Sequence, residues 1–166
     1  MKTLLEFDSP QIYCDMDGVL ADFDNGIKDM IGGKFSDARW DELPDDFFLQ
    51  LEPMKDAKKL WGFIGKYDPF ILTAVPRSER GPIAARATED KTRFMKRWFG
   101  VSADKMYPVM RKHKANFAID GRDDRPNLLI DDHIKNIQAF RKARGIGVHH
   151  TSASNTIKQL KEIGYK

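Results

Sequence analysis

The chain has 166 residues, of which 41% are hydrophobic and 32% are charged, a composition typical of one soluble globular domain. Its net charge of +3 is too small to indicate binding to duplex nucleic acid, although it can favour an anionic small molecule. No apolar run approaches the length of a membrane span, and residues 1–10 lack the apolar stretch of a signal peptide. Cys14 is the only cysteine, so no intramolecular disulfide can form, and we expect a cytoplasmic protein without membrane association.

Apolar, β-prone runs alternate with amphipathic segments along the chain. The apolar runs predict strands over 12–14, 69–74, 106–110, 128–130 and 146–149. The amphipathic segments predict helices over 25–31, 54–66, 83–99, 133–143 and 154–163. Gly100 and Gly145 are expected to end two of these helices as the left-handed residue after the last turn. This alternation predicts an α/β fold, a parallel sheet with helices on both faces.

The segment between the first two predicted strands is rich in acidic and aromatic residues. Pro44 interrupts any long helix there, and Ser36 or Asp37 can cap a short one. We therefore expect a small helical insertion over about residues 25–53, within a single domain that spans residues 1–166. Residues 1–10 are expected to lead into the fold without a fixed structure.

Two carboxylates follow the first predicted strand. Asp15 and Asp17 come directly after the apolar run 12–14, and Gly18 allows a tight turn. In open α/β sheets, ligands bind just beyond the carboxyl ends of the strands. Two carboxylates this close repel each other unless a cation neutralises them, and Mg²⁺ is the usual hard cation at oxygen ligands. The alternative interpretation is an ordinary turn, in which Asp and Gly are common.

Three further polar clusters follow apolar runs. Thr73 ends the second predicted strand, Lys114 lies a few residues past the third, and Asp131 and Asp132 follow the fourth. Because the carboxyl ends of parallel strands share one edge, we expect all these side chains to meet. Each also has a purely structural alternative. The threonine and the acidic pair can end or cap elements, the lysines can form a solvated face, and Lys112 competes with Lys114 for the same role.

Motif I of the haloacid dehalogenase (HAD) superfamily resembles the stretch Asp-Met-Asp-Gly-Val-Leu-Ala-Asp-Phe, from Asp15 to Phe23. Within the superfamily, this stretch is most similar to the 5'(3')-deoxyribonucleotidases. Thr73 resembles motif II, Lys114 with the following Ala-Asn-Phe-Ala resembles motif III, and Leu-Ile-Asp-Asp up to Asp132 resembles motif IV. The resemblance covers nearly the whole chain from Ile12. It implies a Rossmann-like HAD fold in which the helical insertion is a C1-type cap over the active site.

The resemblance also implies a phosphomonoesterase that needs Mg²⁺. Asp15 would be the nucleophile that forms an aspartyl-phosphate, and Asp17 would be the general acid and then the general base. The Asp15 carboxylate, the Asp17 backbone carbonyl and Asp131 would bind Mg²⁺, with Asp132 beside them. These roles match what phosphoryl transfer requires: an in-line nucleophile, neutralised charge and a proton for the leaving oxygen.

A phosphate site is implied around the remaining motif residues. Thr73 would donate a hydrogen bond to a phosphoryl oxygen, and Lys114 would offset negative charge on the nucleophile and the phosphate. Ala74 stands where the family often has serine, which removes one hydroxyl from this site. Arg77 falls where a basic residue contacts phosphate in relatives.

Aromatic residues of motif I and the insertion are implied to hold a nucleobase by stacking. They are Phe23, Phe47 and Phe48. The two insertion phenylalanines can equally pack the insertion onto the body of the protein. The implied substrate is a small-molecule phosphate monoester, a deoxyribonucleoside monophosphate, with no stable nucleic-acid partner. The sequence does not indicate an oligomeric state.

Three other functions are compatible with some of these features. The same chemistry could act on a sugar phosphate or on a polynucleotide 3'-phosphate, although the acidic insertion disfavours a polynucleotide. A receiver domain also uses acids, Thr and Lys at strand ends, but places them in a different order along the chain and lacks an aromatic insertion. A binding module with a degenerate site is the third alternative, and the presence of every catalytic residue type argues against it.

Overall fold

The structure, a computed structural model, describes residues 9–166, so the lead-in predicted at the N-terminus lies almost entirely outside the described residues. The strands are β1 (Ile12–Cys14), β2 (Phe70–Ala74), β3 (Met106–Val109), β4 (Leu128–Asp131) and β5 (Ile146–His149). The helices are α1 (Phe23–Met30), α2 (Phe47–Gln50), α3 (Ala57–Ile64), α4 (Pro82–Phe99), α5 (Ile134–Lys142) and α6 (Ala153–Ile163). Every strand and helix predicted from the sequence is therefore present, with small shifts at the ends.

The strands form one parallel sheet in the order β3-β2-β1-β4-β5. β1 lies at its centre, where Cys14 is aligned with Ile71 of β2 and with Ile130 of β4. The backbone N–H of Asp15 donates to the Ile130 carbonyl over 2.8 Å, which carries the ladder one residue past β1. This topology confirms the predicted α/β, Rossmann-like fold.

Both faces of the sheet are buried, each against its own hydrophobic cluster. Ile12 and Cys14 belong to the larger cluster, together with side chains of α1, α3, α4 and α6. Tyr13 belongs to the smaller cluster, together with Ile137 and Phe140 of α5. Successive strand residues point to opposite faces, so a strand covered on both sides needs a continuous apolar run. The run from Ile12 to Cys14 meets this need, and Cys14 is a fully buried packing residue.

The chain between β1 and α3 forms an insertion whose two ends meet. The N–H of Asp22 donates to the Glu52 carbonyl over 2.8 Å, and the N–H of Met54 donates to the Leu20 carbonyl over 2.9 Å. Between these contacts lie α1, a 3₁₀ turn over Asp37–Glu42 and α2. All three elements of this segment are helical.

Two of the helix ends that differ from the predictions have a clear local cause. α1 begins at Phe23 because the Asp22 side chain accepts a hydrogen bond from the Asn25 N–H, which caps the helix two residues early. The prediction that Gly145 is the left-handed residue after α5 is wrong, because Arg144 adopts that conformation with φ of 71°. Gly145 is needed for space instead, since a Cβ atom there would lie 2.4 Å from the Phe140 ring. Gly100 does follow α4 with φ of 67°, as predicted.

Candidate active site

The carboxyl edge of the sheet gathers the predicted acidic residues. Asp15 follows β1 directly, and Asp131 is the last residue of β4, the neighbouring strand. Both carboxylates are almost completely buried, at 6% and 0% exposure. Burying a charged group is costly unless it is paired, so these two side chains need a nearby cation.

Lys114 supplies that cation. It lies in a 3₁₀ turn over Arg111–Phe117, and its Nζ donates to Asp15 Oδ1 and to Asp131 Oδ2, each over 2.8 Å. Burial lowers the pKa of Lys114, but the two carboxylates outweigh this effect and raise it above the ordinary value. Lys112 is exposed on the cavity wall. Of the two competing lysines, Lys114 is therefore the one that contacts the carboxylates.

Asp15 remains in an excess of negative charge in spite of this contact. Burial raises its pKa well above the usual range, and Lys114 opposes the rise. The neighbouring carboxylates of Asp131, Asp132 and Asp17 raise the pKa further. A group whose charged form is disfavoured in this way is stabilised when a further cation arrives.

A set of three carboxylates could hold such a cation. Asp15, Asp131 and Asp132 each offer one oxygen, and these oxygens lie within 4.8 Å of one another. Burial and then Asp131 raise the pKa of Asp132 to about 6. These hard oxygen donors fit Mg²⁺, the metal expected from the sequence. The Asp17 side chain points elsewhere, so its expected contribution to a metal is limited to the backbone carbonyl.

Gly18 makes room for this set. It has φ of 81°, and a Cβ atom at this position would lie 2.1 Å from Oδ2 of Asp132 and 2.6 Å from its Cγ. Both the left-handed backbone and the close approach of a carboxylate require glycine. The turn after β1 therefore brings its backbone directly against the carboxylate that follows β4.

The second buried cation at this edge is Lys91 of α4, which sequence reasoning missed. Its Nζ donates to Asp17 Oδ2 over 2.6 Å, to Thr73 Oγ1 over 2.9 Å and to the Ala74 carbonyl over 2.6 Å. It is completely buried. A sequence signal was present, because Lys91 occupies a core position in the helical spacing of Ile83, Ala87 and Phe94.

The predicted phosphate residues lie at different depths. Ala74 and Arg77 line the cavity, whereas Thr73 is fully buried and its hydroxyl oxygen accepts the hydrogen bond from Lys91. Asn136 is a further residue that sequence reasoning missed. Its Nδ2 donates to Asp131 Oδ2 over 3.0 Å, and the N–H of His133 donates to Oδ1 of the same carboxylate over 2.8 Å. Both carboxylate oxygens of Asp131 therefore accept hydrogen bonds, which fixes the side chain.

A cavity of about 820 Å³ opens onto this edge. Asp15, Asp17, Lys114 and Asp132 lie in its wall. Its aromatic wall consists of Phe23, Phe35, Trp40 and Phe48. Phe47 does not line the cavity. Its ring is fully buried and packs edge-on against Phe23 and Phe48, at centroid distances of 5.4 and 5.3 Å.

The fold and the buried carboxylate–lysine cluster place the chain among α/β proteins with a Rossmann-like sheet and a candidate active site at its carboxyl edge. The chain is 33% identical over 132 residues to a curated protein named "Putative 5'(3')-deoxyribonucleotidase", from Vibrio phage KVP40. The similar stretch covers 78% of this chain and 69% of the phage protein. The chain therefore belongs to the same family, that of the 5'(3')-deoxyribonucleotidase-like proteins. No protein-family model matches it.

Across residues 9–166, every helix is too short or too polar to span a lipid bilayer.

Proposed function

We propose that this protein is a magnesium-dependent phosphomonoesterase of the HAD type, which hydrolyses deoxyribonucleoside monophosphates through an aspartyl-phosphate at Asp15. The observation that carries the proposal is the contact of a cavity-lining Asp15 with the buried Lys114, at the carboxyl edge of the central strand. The name of the phage relative independently supports a nucleotidase.

The charge balance of the site supports the metal. Asp15, Asp17, Asp131 and Asp132 face two buried lysines, so these side chains carry two uncompensated negative charges when all four are ionised, and one when Asp17 holds the proton that it gives to the leaving group. A dianionic phosphate ester would be repelled by this excess. The three clustered carboxylates, with the Asp17 carbonyl, would hold Mg²⁺, which neutralises the phosphoryl oxygens when bound.

The proposed reaction has two steps, in which Asp15 and Asp17 take part. In the first, an Asp15 oxygen bonds to phosphorus, and the bond from phosphorus to the sugar oxygen breaks. The electron pair stays on the sugar oxygen, which takes a proton from Asp17. In the second, water gives a proton to Asp17 while its oxygen bonds to phosphorus, and the bond between Asp15 and phosphorus breaks. Inorganic phosphate leaves, and both aspartates return to their starting state.

The cavity supports a nucleotide as the substrate. Its volume of about 820 Å³ lies within the range of pockets that bind small organic molecules. The aromatic wall offers Phe23, Phe35, Trp40 and Phe48 for stacking on a base, each such contact being worth about 1–3 kcal/mol. Phe35, Trp40 and Phe48 lie on the helical insertion, and we propose that this insertion, over about residues 25–53, acts as the small cap.

A polynucleotide 3'-phosphate is the second candidate substrate. The wall next to the carboxylates carries three exposed cations, Arg77, Arg111 and Lys112. Exposed lysines and arginines along a groove favour binding to a nucleic-acid backbone. These three cations could contact the backbone phosphates of a polynucleotide, whereas a sugar phosphate has no further phosphates for them to contact.

Phosphate release from a panel of substrates tests the proposal. The panel holds deoxy- and ribonucleoside monophosphates, sugar phosphates and a 3'-phosphorylated oligonucleotide, each with Mg²⁺ and with EDTA. We expect release that needs Mg²⁺ and is fastest with a deoxynucleotide. Asp15→Asn should abolish it, whereas Asp29→Asn, at an exposed position of α1, should leave it unchanged. Turnover by Asp15→Asn at the rate of the parent would refute the mechanism.

A further inference from the structure

Lys91 of α4 is completely buried, and its ammonium group lies at the carboxyl edge of the sheet. A lysine ammonium has three N–H donors. Three acceptors surround this one within 2.9 Å, namely Asp17 Oδ2, Thr73 Oγ1 and the Ala74 carbonyl. Every donor is therefore used, and the position of the ammonium group is fixed by β2 on one side and by Asp17 on the other.

This contact makes the two oxygens of Asp17 different. Oδ2 accepts from Lys91 over 2.6 Å, whereas Oδ1 is buried and has no hydrogen-bond partner. Because the second oxygen has no partner, the Lys91 contact is the side-chain hydrogen bond that holds this carboxyl group in place. Asp17 also lines the cavity, with 23% of its side chain exposed.

We propose that Lys91 is a positioning residue for proton transfer by Asp17. By holding Oδ2 over 2.6 Å, it fixes the orientation of the carboxyl group that gives a proton to the leaving sugar oxygen and later accepts a proton from water. Lys91 itself makes and breaks no bond and keeps its charge throughout. The inference rests on the proposed function and adds a positioning role for Lys91 to the proposed reaction.

The contact of Lys91 with the insertion adds a second constraint. Its Nζ lies 4.4 Å from the centroid of the Phe48 ring, which belongs to the aromatic wall of the cavity. A cation over an aromatic face is attracted to it, more strongly when both are removed from water. The residue that orients Asp17 therefore also touches the wall proposed to hold the base.

The test compares two substrates with different leaving groups. A deoxynucleoside monophosphate leaves a sugar alkoxide, which needs a proton, whereas p-nitrophenyl phosphate leaves a phenolate that is stable without one. Lys91→Met keeps the length of the side chain and removes the charge. The quantity compared is the single-turnover rate of the first step, phosphoryl transfer to Asp15, because the second step needs Asp17 with either substrate. We expect this rate to fall by about 10²–10³-fold for the deoxynucleotide, the usual size of a general-acid effect. For p-nitrophenyl phosphate we expect it to fall by less than about tenfold, since its leaving group needs no proton from Asp17.

A double-mutant comparison separates positioning from a merely structural role. If Lys91 acts through Asp17, adding Lys91→Met to an Asp17→Asn variant should cause no further loss of kcat on the deoxynucleotide. Lys91→Gln retains a donor for Oδ2 and should restore part of the lost rate. It also keeps the test decisive if Lys91→Met does not fold.

The outcomes are distinguishable. Equal losses on both substrates, no loss on either, or a further loss in the Asp17→Asn background would overturn the role of Lys91 while leaving the phosphatase intact. A parent protein that hydrolyses neither substrate would overturn the proposed function and the positioning role together.

Discussion

Lys114→Met should destabilise the metal-free protein more than any other single charge removal at the sheet edge. The substitution removes a buried ammonium group that contacts two buried carboxylates over 2.8 Å each. Breaking a buried ion pair by removing one partner costs about 3–5 kcal/mol, because the remaining charge has no compensation. For a chain of this length, that loss lowers the melting temperature by roughly 6–20 °C.

The assay is urea unfolding at pH 8 in EDTA. High pH matters because Asp15 has a raised pKa and could relieve the loss by taking up a proton at low pH. Lys112→Met is the matched control, since it removes the same charge two residues away at an exposed position. Its free energy of unfolding should stay within about 0.5 kcal/mol of the parent value.

The response to Mg²⁺ completes this test. A divalent cation can replace the lost charge, so Mg²⁺ should stabilise Lys114→Met more than it stabilises the parent. If Lys114→Met unfolds at the same urea concentration as Lys112→Met in EDTA, the assignment of Lys114 as the counter-charge of Asp15 and Asp131 is wrong.

Further substitutions and conditions test other parts of the structure. Gly18→Ala should lower the free energy of unfolding by about 1–2 kcal/mol through backbone strain and weaken Mg²⁺ binding in calorimetry, because its Cβ meets Asp132. Stabilisation of the protein by Mg²⁺, measured as a shift in melting temperature, should grow as pH rises through about 6, because Asp132 must lose its proton to bind a cation. In EDTA the sign reverses: the folded protein holds a proton on Asp132 that the unfolded chain has lost. Stability relative to Asp132→Asn should then fall as pH rises from about 4 to about 6. Gly145→Ala should cost about 1–3 kcal/mol by overpacking against Phe140, whereas Gly62→Ala, in an exposed helical position with free space, should stabilise by about 0.5–1 kcal/mol. Equal melting temperatures for the last two variants would contradict the packing account.

Local sequence patterns were sufficient to predict the strands and most of the helices. The run Ile12–Cys14 is apolar throughout because the sheet is covered on both faces, and such runs are visible in the sequence. Helix ends depend on single contacts. The cap from Asp22 and the left-handed Arg144 follow from local geometry that composition alone does not specify.

The acidic residues of the site were predictable because parallel strands bring their carboxyl ends to one edge. Asp15, Asp131 and Lys114 meet there as expected. Lys91 and Asn136 could not be placed in the same way, because they reach the site from the middle or first turn of helices. Their contacts depend on how α4 and α5 pack, which is a property of the whole fold.

Phe47 and Phe48 show the limit of a pattern within one short helix. Adjacent residues of a helix point about 100° apart, so the two rings cannot share one environment. Phe48 lines the cavity, whereas Phe47 packs behind Phe23. The sequence predicted an aromatic pair here, and the packing of α2 decides which member is available to a ligand.

The most direct test of the central claim is to trap the phosphoryl group on Asp15. The protein would be mixed with a deoxynucleoside monophosphate and Mg²⁺, quenched in acid within one turnover, and analysed by mass spectrometry of the intact chain and its peptides. The account predicts a mass gain of one phosphoryl group on the peptide that contains Asp15, and none in Asp15→Asn. Phosphate release in a single turnover without any phosphorylated Asp15, or with the label on another residue, would contradict it.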